Sequence, residues 1–180
     1  TIVPRGRALG LTAQIPEVER YNYSVDYLLG RLDILMGGRC AEKLIFNNMT
    51  TGAGNDISVA TDIARKMVCE WGMSDKIGPM KLGNKEEEVF LGRDMNKSTD
   101  ISQKKAIIVD EEITLLVKSA EKNATAILNK YIKNLHDVSL VLLDKDTIGR
   151  LEFEDIILNG ISEKIDPIKQ KSSRRKKNKL

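Results

Sequence analysis

Thr50-Thr51-Gly52-Ala53-Gly54-Asn55-Asp56-Ile57 is the stretch from which the rest of the chain is best read. Two threonines and two glycines make a tight turn that exposes backbone, and Asn55 and Asp56 then stand where a helix begins. Short side-chain oxygens suit that place, because they accept bonds from N–H groups that have no partner in the first helical turn. A carboxylate there also meets the positive end of the helix dipole. Downstream, Ile57, Ala60, Ala64, Met67, Val68 and Trp71 recur at spacings of three and four, the stripe of a helix with one buried face. Gly72 marks its stop, and Trp71 is expected in the core at the helix end. The local chemistry leaves two readings of Asp56. It is a helix-start carboxylate, or it is held rigidly out of the turn to bind a cation.

Upstream, a first helix is expected from Ser24, with Asp26 in its first turn. Leu28, Leu29, Leu32, Leu35 and Met36 carry its apolar pattern, which Gly37-Gly38 interrupts and Ala41, Leu44 and Ile45 resume. Glycines inside a helix cost about 1 kcal/mol each relative to Ala, so the pair implies a close backbone approach or a bend. Glu42 lies on this helix, either as a solvated carboxylate or as a buried partner close to the site. Residues 1 to 16 alternate like extended chain: Ile2 and Val3 are β-branched, Pro4 bars a regular central strand, and Gly6 and Gly10 permit tight turning. Arg7 to Thr12 reads as an ordinary hairpin, or as an edge strand whose free backbone groups pair with an extended peptide.

Beyond Gly72 the pattern is irregular, with short strands expected near Met80–Leu82 and Val89–Leu91 and a solvated loop at Glu86-Glu87-Glu88. A third helix is expected from Ser102. Its apolar face, Val109, Ile113, Leu116, Val117, Ala120, Ala124, Ile127, Leu128, Tyr131 and Leu135, continues for more than thirty residues. Such a helix either spans the domain or contacts a neighbouring subunit. His136 then stands at its C-terminal end, where a histidine suits the dipole. A shorter segment, Asp137 to Leu143, and a last helical turn or two to about Leu158 complete the pattern. The fold class is mainly α, with a small N-terminal β-hairpin or edge strand. The expected division is one domain over residues 1–160 and a disordered basic tail over 161–180.

Bulk composition narrows the function. With aromatics at 4%, the core of this 180-residue chain has to be built from Leu, Ile, Val, Ala and Met. No apolar run approaches the roughly 20 residues of a membrane helix. The start lacks the hydrophobic region of a secretory signal, and without an initiating Met a fragment or processed chain is expected. The net charge of +3 hides an asymmetry. Residues 164–180 carry eight Lys or Arg against one Asp, and removing that +7 leaves residues 1–163 at −4. The acidic body gives no case for specific nucleic-acid binding, which would rest on the tail alone. Cys40 and Cys69 fall inside helical apolar patterns and read as small core residues of a reduced compartment. One histidine excludes a multi-histidine metal site built from this chain alone.

Six blocks in order carry a closer likeness. They are Thr1 to Gly10; Arg20-Tyr21-Asn22-Tyr23-Ser24; Gly37-Gly38-Arg39-Cys40-Ala41-Glu42; Thr50 to Ile57; Met67-Val68-Cys69-Glu70-Trp71-Gly72-Met73-Ser74; and Val89-Phe90-Leu91-Gly92-Arg93-Asp94. With them the chain resembles, over roughly residues 1–158, the peptidase domain of the FtsH family of membrane-anchored, ATP-dependent AAA zinc metalloproteases. The resemblance implies a mainly helical domain in a homo-hexameric ring beneath ATPase domains that use ATP and Mg. It implies one zinc per subunit, held by two histidines of a His-Glu-x-x-His helix and one aspartate of a later helix, the position matched by Asp56. Zinc would lower the pKa of a bound water and polarise the scissile carbonyl, with the glutamate of the motif as base. The segment Arg7, Ala8, Leu9, Gly10, Leu11, Thr12 matches the family's cleft-side strand, which pairs with the substrate backbone.

The sequence departs from the family in one respect that matters for mechanism: no His-Glu-x-x-His is present in the 180 residues. The general base and two zinc ligands are then expected upstream of Thr1, and the family's transmembrane helices and ATPase motifs are also absent from these 180 residues. The expectation is part of an enzyme that degrades membrane and cytoplasmic proteins processively at the bacterial inner membrane, with this domain on the cytoplasmic side. The fragment alone is expected to be inactive. The alternative is a non-catalytic helical assembly or binding module.

Overall fold

A computed structural model describes residues 1–6, 10–13, 22–82 and 102–160. Among these residues the chain forms α1 (Val25–Phe46), a 3-10 turn (Thr51–Ala53), α2 (Gly54–Cys69), α3 (Gln103–Lys130), α4 (Ile132–Lys145) and α5 (Arg150–Asn159). They divide into two compact units, one of residues 20–129 and one joining residues 1–19 to 130–180.

In the unit of residues 20–129, α1 begins where the sequence marks it. Ser24 is extended (φ −75°, ψ 161°), and its Oγ accepts a bond from the Tyr27 N–H at 3.3 Å. The helix ends on Asn47 in the left-handed region (φ 48°), a conformation Asn tolerates better than most residues. Leu28, Leu32, Met36 and Cys40, each four residues on, form one buried stripe. The stripe meets Ala60, Ala64, Met67 and Val68 of α2, and Val109, Ile113, Ala120 and Ala124 of α3, in one apolar cluster. Full burial of a side chain such as Leu32 or Met67 is worth about 1.5–3 kcal/mol, and no aromatic is among the buried members. Both cysteines are buried and unbridged, as their apolar setting predicts.

Four details differ from expectation in this unit. First, α1 runs unbroken through Gly37-Gly38, and a Cβ added at either would meet no described atom within 4 Å, so no close approach explains the pair. Second, Trp71 lies outside the core, at 43% exposure. The helix has already ended at Cys69, and the Trp71 N–H turns back to the Lys66 carbonyl at 2.9 Å. That turn carries the indole off the buried stripe. Gly72 then takes φ +62°, and a Cβ there would stand 2.9 Å from Pro79 Cα, so glycine is required twice over. Third, Met80–Leu82 is not a strand; Leu82 N–H bonds the Cys69 carbonyl at 2.7 Å. Val89–Leu91 and Glu86–Glu88 lie outside the described residues.

Fourth, the long third helix is two helices. α3 starts after Ser102, whose Oγ accepts from Lys105 N–H, but it stops at Lys130, and Tyr131 (φ −111°, ψ 30°) leaves the helical path before α4. The two segments serve different cores. The buried face of α3 belongs to the α1–α2 cluster, whereas α4 packs on α5 with Val141 and Ile156 buried. His136 therefore sits in the second turn of α4 and not at a helix C-terminus.

In the second unit, Asn134 Nδ2 donates to the Ile157 carbonyl at 2.8 Å, tying α4 to α5. α4 ends on left-handed Asp146 (φ 60°), whose carbonyl accepts from Ile2 N–H at 2.9 Å and from the Thr1 hydroxyl at 3.1 Å. Thr1 and Leu11 exchange two backbone bonds, at 2.9 and 3.0 Å. That reciprocal pair is what the described residues contain of the expected hairpin; no strand is present among them. Gly10, Leu11 and Thr12 are exposed, whereas Arg7, Ala8 and Leu9 of the expected edge strand, like the tail over 161–180, lie outside the described residues.

Candidate functional site

The turn that leads into α2 is built by a carboxylate from α1. Glu42 Oε2 accepts the Thr50 backbone N–H at 3.0 Å, and its Oε1 accepts the Thr50 hydroxyl at 2.7 Å. Thr50 Oγ1 in turn accepts the Gly52 N–H at 3.2 Å, closing the start of the 3-10 turn. The Thr50 hydroxyl and then its backbone N–H hold the Glu42 carboxyl below its ordinary pKa, and the nearby Arg39 charge adds to this. Gly52 fits under the pair: a Cβ there would lie 3.2 Å from Thr50 Oγ1 and 3.8 Å from Glu42 Oε1. Buried Ala53 seats the turn, and α2 begins at Gly54.

Asp56 is the third residue of α2, half-buried, in the first turn. It is not the cap. The residue before the helix is Ala53, which makes no side-chain capping bond; Thr50 satisfies the turn instead. The 3-10 turn moves the capping job upstream to Thr50, and this frees Asp56. Among the described residues its carboxylate has no hydrogen-bond or ion-pair partner. The geometry thus shows a braced turn ending in an uncommitted carboxylate. Neither sequence reading of Glu42 holds in full: the carboxylate is partnered by Thr50, but it is only half-buried. Thr50 is the functional residue that sequence reasoning missed as a cap; its signal was a Thr two residues before Gly52.

A catalytic zinc centre generally takes three protein ligands. Among the described residues no group of three or more His, Cys, Asp and Glu side chains is placed to hold a metal ion. Asp56 offers one carboxylate, and the sole histidine, His136, belongs to the other compact unit. The described residues by themselves therefore do not fit a zinc centre.

Residues 1–156 match the profile of peptidase family M41. The chain belongs to peptidase family M41. It is 44% identical to the ATP-dependent zinc metalloprotease FtsH of Magnetococcus marinus over 178 residues, 98% of this chain and 26% of that protein. It is 46% identical to the ATP-dependent zinc metalloprotease FtsH 4 of Sphaerobacter thermophilus over 157 residues, 87% of this chain and 24% of that protein. With FtsH 1 of a Thermoanaerobacter species it shares 45% over 160 residues, 89% of this chain and 26% of the relative. The chain thus spans about a quarter of the length of the relatives it matches. No helix among the described residues is long and apolar enough to cross a membrane.

Proposed function

We propose that this chain is the C-terminal part of the peptidase domain of an ATP-dependent zinc metalloprotease that degrades membrane and cytoplasmic proteins processively. Membership of peptidase family M41 over residues 1–156 is the observation that carries the reading. Asp56 is its one zinc ligand in these residues. Its position on a turn braced by Glu42 and Thr50, with the carboxylate uncommitted, supports that role. The two histidine ligands and the general base lie on a His-Glu-x-x-His helix in the remaining three-quarters of the protein. That portion also supplies the ATP- and Mg-using AAA domain and the transmembrane helices. The working form is a homo-hexamer at the bacterial inner membrane, with this domain on the cytoplasmic side.

The role of this chain in proteolysis is to bind and orient. The segment Arg7 to Thr12 pairs with the backbone of an extended substrate, which explains cleavage with little side-chain preference, since the backbone is common to all substrates. The domain reading remains residues 1–160 with a basic tail over 161–180.

On this reading the 180 residues alone are not a protease. Incubation with casein and added zinc should give no cleavage above background. Cleavage that vanishes in an Asp56→Ala variant would overturn the reading of a dependent fragment.

A further inference from the structure

A shallow groove of about 350 Å³ lies between the end of α1 and the C-terminal half of α3, within the unit of residues 20–129. It is lined by Lys43 from α1 and by Lys118, Glu121, Lys122, Thr125, Ala126 and Asn129 from α3. Residues 118, 122, 125 and 129 fall on one face of α3 at helical spacing, a strip about 16 Å long at 1.5 Å per residue. An extended peptide of about five residues covers that length.

The charge in the groove is unbalanced. Glu121 is its one acid, and Arg39 lies 3.7 Å from Glu121 Oε1. Among the described residues Lys43, Lys118 and Lys122 have no ion-pair partner. Three lysines without an ion-pair partner among the described residues thus line one groove, on a body whose residues 1–163 carry a net charge of −4. The polar atoms beside them are already committed locally: the Thr125 hydroxyl donates to the Glu121 carbonyl at 2.7 Å, and Asn129 Nδ2 to the Thr125 carbonyl at 2.9 Å. Lys43 lies in the last turn of α1 and Asn129 beside the end of α3, helix ends that leave carbonyls rather than N–H groups unpaired, so no free backbone N–H points into the groove, and no aromatic lines it to stack a base. A phosphate cradle needs the first and a nucleotide favours the second. Mobile point charges in a row suit separate carboxylates along a chain.

We propose that the Lys43–Lys118–Lys122 groove binds an acidic peptide segment of a partner protein. The proposal is independent of the zinc assignment, because neither Asp56 nor any residue of its turn lines the groove.

The test uses the full 180-residue chain and a fluorescein-labelled octa-glutamate peptide, read by anisotropy. Lys118→Gln/Lys122→Gln should weaken binding about tenfold, as expected for losing two exposed charge pairs. Glu121→Gln, which removes the one like charge facing the peptide, should tighten it about twofold. The basic tail is controlled for by a chain ending at residue 160, which should bind within twofold of the full chain. Tail removal that abolishes binding, a Lys118→Gln/Lys122→Gln variant within twofold of wild type, or an octa-glutamine peptide that binds equally well would each overturn the proposal. So would tripolyphosphate displacing the peptide with the same lysine dependence, which would make the groove a phosphate site.

Discussion

The two ends of α2 are both held by a carboxylate from a neighbouring helix, but in opposite ways. At the N-terminal end Glu42 of α1 grips Thr50, and the held turn is exposed to solvent. At the C-terminal end Glu112 of α3 accepts the hydroxyl of buried Ser74 at 2.8 Å and lies 2.8 Å from Lys76 Nζ. Between the ends, Ala60, Ala64, Met67 and Val68 are sealed into the core. The C-terminal anchor is thus part of the packing that makes the unit stable. The N-terminal anchor adds little packing and instead fixes where Asp56 stands. Structure is secured at one end of the helix, and at the other a braced turn precedes a half-buried carboxylate, Asp56, that has no partner among the described residues.

This contrast can be broken first at the buried end. Gly72→Ala forces a side chain into a left-handed turn and against Pro79 Cα. The left-handed conformation alone costs roughly 1–2 kcal/mol, so a loss of about 2 kcal/mol or more is expected in urea denaturation. Glu112→Ala should follow at about 2 kcal/mol, because it leaves the buried Ser74 hydroxyl without its acceptor. Thr50→Ala at the exposed end should cost about 1 kcal/mol, the usual worth of a capping hydroxyl. An order reversed between Glu112→Ala and Thr50→Ala would refute the division of labour.

Acid separates the ends further. Bonds from Lys76 and Ser74 hold the Glu112 carboxyl below its ordinary pKa of 4.5. A depressed carboxylate contributes stability that is present above its unfolded value and is lost as pH falls through the lower folded one. Wild type should therefore lose stability below pH 4.5 faster than Glu112→Gln, as followed by thermal unfolding across pH. Glu42 is shifted the same way by Thr50, so Glu42→Gln should flatten the same limb by a smaller amount.

Much of this arrangement was legible in residue spacing. Ser24, the Leu28–Cys40 stripe and the Ala60–Val68 stripe announce α1, α2 and the seam between them, because period and capping are local properties. Other features depend on contacts far apart in sequence. Glu42 is eight residues from Thr50, and only the fold shows that it is partnered there without being buried. The 3-10 turn relocated the cap from Asp56 to Thr50, a difference that helix-start statistics do not resolve. Tyr131 breaks the third helix without a proline or glycine to signal it, since the apolar spacing continues across the break while the buried partners change. Trp71 kept the spacing of its stripe, but the helix ended two residues too early to bury it.

Zinc content tests the presented carboxylate most directly. The full-length protein, purified and measured by elemental analysis, should hold about one zinc per subunit, the number of sites implied by a single three-ligand centre. Asp56→Ala should lose most of that zinc while its circular dichroism stays unchanged. Glu42→Gln should retain a folded core but bind zinc more weakly. An Asp56→Ala protein that keeps one zinc per subunit and still cleaves casein would contradict the account.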